Sequence, residues 1–293
     1  MTNMPTETQR RITHRTRGRG HGPIVRLMSP SDLGEIVKPF VFLDLFDADM
    51  REMGRSMPLH PHSGIATVTV FTRGEVHFED PGGGEGTIGY GGVEWLRAGG
   101  GAWHGKELSP GASPRAQGFQ LWVALPPELE NGPSESQYIE AAEMKQAGPA
   151  HVIVGSYEGM ASPVRAPIGF NYLLVTLKPG ETWTYQPPQG HSIAWLAIAQ
   201  GALDAGETVG AGEMAVFERS EASLRLTALG DTDTVFVLGS AVPHPYDLRL
   251  GTYSVHTSVQ ALARGERRIA ELGRKLAEVG DRRTKSGSTP VFR

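Results

Sequence analysis

From Pro39 to Pro126 the chain is a succession of short apolar or alternating runs with glycine punctuation, and this rhythm limits the fold more than any other feature. The runs include "FVFLDLF" (Phe40–Phe46), "IATVTVF" (Ile65–Phe71), "GEVHFED" (Gly74–Asp80), "VEWLRA" (Val93–Ala98) and "GFQLWVAL" (Gly118–Leu125). Between them lie "DPGGGEG", "GYGG" and "AGGG", where glycine supplies the positive-φ turns that join antiparallel strands. Short strands at even spacing predict a β-barrel or β-sandwich. The rhythm returns in "GFNYLLVTLKPGETWTY", "SIAWLAIAQGALDAG", "GAGEMAVFERS" and "TDTVFVLGSAV". A chain of 293 residues holding this pattern twice reads as two β domains of one architecture.

The pattern divides the chain into a basic, flexible N-terminal arm (1–22), a first barrel (23–130), a linker (131–150), a second barrel (151–257), a helix (258–280) and a flexible tail (281–293). The helix follows from Val259, Leu262, Ile269, Leu272, Leu276 and Val279, which recur at helical spacing with arginines and glutamates between them. The arm carries Arg10, Arg11, Arg15, Arg17 and Arg19 against Glu7 alone, which reads as a solvated segment. A net charge of −4 gives no strong nucleic-acid signal, and no segment suits a signal peptide or a membrane span. Cysteine is absent, which excludes disulfides, thiolate metal sites and a cysteine nucleophile, and a cytoplasmic monomer is the expectation.

Chemistry points to "MPLHPHSGIATVTVF" (Met57–Phe71). Residues i and i+2 of a strand share a face, so His60 and His62 present two imidazoles side by side. A third histidine, His104, follows in "RAGGGAWHGKEL", far enough along for a barrel to bring it back. Neutral imidazole suits first-row divalent metals, although histidines satisfied on a surface or in a core would leave the same pattern. His77 and His191 read as strand and turn residues, and Trp95, Trp103 and Trp122 as core or cavity wall.

"HPHSGIATVT", "RGEVHFED", "GVEWLRAGGGAWHGKE" and "GFQLWVALP", in this order, resemble the pirin family of bicupins. The resemblance implies an all-β fold of two tandem cupin, jelly-roll-like barrels with a C-terminal helix. It also implies one divalent transition metal in the first barrel, usually iron, with nickel, zinc, copper, manganese or cobalt as alternatives. The histidine ligands would be His60, His62 and His104. The family's glutamate ligand would fall on Lys106, its acid four residues after the second histidine on Ala66, its arginine after H-P-H on Ser63, and the asparagine of "QLWVNLP" on Ala124.

An ammonium cannot ligate a metal and repels a dication. Three arrangements are therefore open: Glu107 turned inward by a bulge at Gly105, a three-histidine site completed by water, or no metal, with Lys106 binding an anion or pairing with Glu94. The functions implied are a metal-dependent dioxygenase acting on flavonols such as quercetin, with Lys106 or Glu107 beside the reaction, a redox-responsive module that binds a protein partner, or a metal-free cupin.

Overall fold

The computed structural model describes residues 10–56, 58–80, 84–105, 107–167 and 169–279. Two seven-stranded antiparallel sheets dominate it. The first runs, in spatial order, Glu135–Ile139, Val93–Arg97, Ile65–Arg73, Arg115–Ala124, Phe40–Asp49, Ile24–Met28 and Arg19–His21. The second runs Ile12–Thr16, Met214–Phe217, Ile193–Gln200, Thr234–Ala241, Phe170–Leu177, Ala150–Val154 and Gln146–Ala147. A three-stranded sheet built on Val76–Asp80 packs on the first through Phe46, Phe71, Phe78 and Ile88. A four-stranded sheet built on Leu224–Leu229 packs on the second through Leu173, Leu226 and Phe236. The chain is thus all-β, two tandem jelly-roll-like barrels followed by a helix.

The central strands are largely apolar because both large sheets are buried over most of both faces. On its outer face the first contributes Phe40, Val68, Trp95 and Leu121 to one core shared with Tyr172, Leu174, Trp195 and Val237 of the second. Phe40 meets Phe170 and Trp195 edge-on, with centroids at 5.8 and 5.3 Å. Each such side chain contributes about 1.5–3 kcal/mol on burial, which fastens the barrels back to back. Alternate residues of the same strands, Phe42, Asp44, Thr69, Gln120 and Trp122 among them, line the interior of the first barrel.

Two expected segments differ. The N-terminal arm is ordered from Arg10: Ile12–Thr16 forms the edge strand of the second sheet, and Arg19–His21 pairs within the first. Its arginines meet acids of the second barrel, with Arg15 to Glu213 at 3.0 Å, Arg17 to Glu213 at 3.3 Å and Arg11 to Glu218 at 3.2 Å. Arg10 is fully buried, its guanidinium donating to the carbonyls of Glu218 and Ser192. The supposed linker is also built into the sheets, since Glu135–Ile139 pairs with Val93–Arg97 and Gln146–Ala147 with Ala150–Val154. The expectations for residues 1–9 and for the tail, 281–293, lie outside the described residues.

The C-terminal helix, Val259–Val279, docks on the first barrel with Ala261, Ile269 and Leu272 buried, while Val259 is exposed and leaves the expected apolar face. Trp103 donates its indole N–H to the carbonyl of Ile269 at 2.9 Å, so the helix backs the strand that carries His104. Among the described residues, no helix is long and apolar enough to cross a membrane.

Candidate functional site

His60–His62 pairs antiparallel with Ala102–His104, placing His104 opposite His60 and all three histidines on one face. Their ring centroids lie 4.9 Å (His60–His62), 4.6 Å (His60–His104) and 5.0 Å (His62–His104) apart. Every Nδ1 is already engaged. His60 Nδ1 meets the carbonyl of Pro58 at 3.1 Å, His62 Nδ1 the carbonyl of Tyr253 at 3.1 Å, and His104 Nδ1 the carboxylate of Glu107 at 2.7 Å. Each partner accepts, so Nδ1 carries the proton and each Nε2 keeps a free lone pair. The Nε2 of His104 is buried without any hydrogen-bond partner. This orphaned atom among three converging imidazoles is what a divalent transition metal requires.

Electrostatics sharpen the division of roles. Burial, with His104 nearby, lowers His60 to about 4, and burial beside the other two imidazoles takes His62 well below its ordinary value. Both are therefore neutral at pH 7. For His104, burial alone would lower the pKa, but the charge and hydrogen bond of Glu107, with Glu94 behind it, outweigh burial and raise it. Burial acts on Glu107 in the opposite sense, yet His104 holds this carboxyl well below the usual range. Glu94 is pushed up to about 8, first by burial and then by the charge of Glu107. One buried carboxyl is thus ionised and its neighbour protonated.

Glu107 is buried and lines the cavity. Gly105 ends the strand at φ +131°, where a Cβ would lie 3.0 Å from His60 Nδ1, and its N–H donates to Glu107 Oε2 at 2.7 Å. Glu107 nevertheless approaches the Nδ1 side of His104, so it holds and orients that ring. Glu94, His104 and Glu107 form a second group able to hold a metal, alongside His60, His62 and His104. Lys106 lies outside the described residues, and with it every expectation placed on its side chain.

Ala66 and Ala124 are not part of the cavity. Ala66 faces the core shared between the barrels, and Ala124 packs with Val41, Ile65 and Val255. His77 sits on the strand Val76–Asp80 and His191 in a turn before the strand Ile193–Gln200.

The histidines open into a cavity of about 400 Å³. Its wall carries Trp122 stacked on Phe42 at 4.1 Å and 10°, and Arg26 lies over the far face of that aromatic pair while paired with Asp44 at 2.7 Å. Thr69, Glu94 and Gln120 line its floor in one hydrogen-bonded row. Sequence reading missed Thr69, Gln120 and Tyr253. The first two carry a signal, being polar residues at cavity-facing positions of otherwise apolar strands; Tyr253 carries none.

Replacing Glu107 with glutamine is expected to weaken metal binding about 10- to 100-fold, because His104 loses the charge that fixes its tautomer. Titration of the metal-free protein with nickel(II), followed by calorimetry, measures this; an unchanged affinity would show that Glu107 does not hold the ligand.

The Pirin family model matches residues 24–123. A pirin-like protein of Caulobacter vibrioides is 32% identical over 236 residues, 77% of this chain and 84% of its own length. A Pseudomonas aeruginosa protein provisionally named quercetin 2,3-dioxygenase is 30% identical over 236 residues, 76% of this chain and 82% of its own length. Among solved structures, a quercetin 2,3-dioxygenase from Acinetobacter baumannii shares the fold with a TM-score of 0.70 at 24% identity, over 89% of this chain and 94% of that one. The Escherichia coli pirin YhhW in complex with nickel(II) shares it with a TM-score of 0.56 at 17% identity, over 81% and 99%. With four-fifths of two such relatives spanned at 30% identity or more, and the family model lying over the barrel that holds the three histidines, the chain belongs to the pirin family.

Proposed function

We propose that the protein is a metal-dependent oxygenase of the quercetin 2,3-dioxygenase type, acting on flavonol-like substrates with His60, His62 and His104 as metal ligands. The observation that carries this is the convergence of three imidazoles, one with an orphaned buried Nε2, on a cavity walled by stacked aromatics. A bound divalent metal, iron being the first choice, would supply Lewis-acid polarisation of a substrate hydroxyl and a redox partner for dioxygen. The chain's own residues do the rest. Trp122 and Phe42 offer a flat wall to an aromatic ring. Glu107, held ionised by His104, fixes the tautomer and orientation of that ring through Nδ1.

The test is anaerobic addition of quercetin to metal-loaded protein followed by dioxygen. Bleaching of the flavonol absorbance is expected. A metal-loaded protein that leaves quercetin intact would overturn the oxygenase reading in favour of a metal-binding module.

A further inference from the structure

We propose that a buried network of Ser63, Ser254, His256 and Glu130 is a clamp that positions His62 for metal, acting through the carbonyl of Tyr253; this rests on the metal reading above. His60 and His104 take their Nδ1 partners from residues two and three positions away. His62 takes its own from Tyr253, 191 residues later, on a hairpin that follows the second barrel (Arg249–Leu250 with Val255–His256). That hairpin holds the His62 ring only if something fixes it to the first barrel.

The residue after His62 does so. Ser63 forms a parallel bridge with Ser254, and its carbonyl accepts from the N–H of Val255 at 3.2 Å. Its Oγ lies 2.9 Å from Ser254 Oγ and 3.0 Å from His256 Nε2. His256 Nδ1 lies 3.1 Å from Glu130, which also accepts from the N–H of Thr257 at 2.7 Å and its hydroxyl at 2.8 Å. Gly64 leaves no gap: at φ +75° a Cβ there would lie 2.0 Å from the carbonyl of Val255. Serine, histidine and glutamate in hydrogen-bonded order are also the parts of a hydrolytic triad. Ser63, however, is 0% exposed, already bonded to Ser254, and absent from the cavity wall. The four side chains are all at most 2% exposed, so removing one partner leaves a buried polar group unpaired and loosens the hairpin.

The test compares Ser63→Ala and His256→Gln with Leu226→Ala, a control in the apolar interior of the second barrel. Three quantities are read: nickel(II) affinity, the thermal midpoint of the metal-free protein, and the tautomer of the His62 ring by ¹⁵N NMR. Both clamp variants are expected to lose about tenfold or more in nickel affinity. In both, His62 should pass from a single Nδ1–H tautomer to a mixture. Leu226→Ala should lower the midpoint and change neither. If His256→Gln does not fold, Ser63→Ala, which deletes one oxygen, decides. Folded clamp variants with wild-type affinity and tautomer overturn the proposal. A wild-type chain that takes up no nickel instead overturns the metal reading, and the His62 tautomer then decides the clamp alone.

Discussion

His62→Ala is expected to strip the protein of metal, lowering affinity by more than about 100-fold, beyond the range seen when only a residue supporting a ligand is changed. His62 is the most enclosed of the three imidazoles at 1% exposure, with its Nδ1 pinned by Tyr253 and its ring edge-on to Trp122 at 4.8 Å. Two imidazoles would remain, and water would have to replace a donor the fold has pre-oriented. The change also empties space beside Trp122, at a cost of about 2–3 kcal/mol, so the thermal midpoint should fall while the barrels stay folded. His77→Ala is the control: it removes a histidine from a neighbouring strand outside the site. Elemental analysis after loading with iron or nickel, beside circular dichroism, measures both effects. A folded His62→Ala protein with wild-type metal content would remove the three-histidine site.

What was legible in the sequence depended on how far each interaction reaches along the chain. Strand parity was enough to put His60 and His62 on one face, and the glycine rhythm enough to foresee two barrels. The resemblance puts a family acid at Ala66, but strand parity does not carry on to it, because Gly64, at φ +75°, turns the chain between the H-P-H strand and the next. Ala66 therefore shares a face with Val68 and Val70 toward the second barrel. Glu94, by contrast, stands opposite Thr69, which stands opposite Gln120, an inward row that only sheet register reveals. The N-terminal arginines read as solvated because Glu213 and Glu218, which neutralise them, lie some two hundred residues away in sequence. Tyr253 escaped for the same reason.

Glu94→Gln is expected to make the metal-free protein more stable at pH 8 while changing little at pH 5. The hydrogen bonds accommodate a proton on Glu94. The Thr69 hydroxyl lies 2.7 Å from both Glu94 Oε2 and Gln120 Oε1 but has one hydrogen to give. A protonated Glu94 that donates to Thr69, which donates to Gln120, satisfies the row. The sign follows from the folded pKa of about 8 standing above the ordinary value of 4.5. Between these values the native state binds more protons than the unfolded one, so stability is full below pH 4.5 and declines as pH rises toward 8. Glutamine keeps a donor for Thr69 and cannot ionise, which removes that decline. The expected gain at pH 8 is about 2–4 kcal/mol, less than the full shift because the buried pair relaxes on ionisation. The other two groups do not mimic this difference. Glu107, with a depressed pKa, loses its contribution only in acid, while His104, with a raised one, loses its contribution as pH climbs; the part of that rise owed to Glu94 disappears with the Glu94 charge and so belongs to the same effect. Urea unfolding of both proteins at pH 5 and pH 8 isolates Glu94. Parallel pH profiles would mean that Glu94 is already ionised at neutral pH, and the cavity floor would then carry two negative charges beside His104 rather than one.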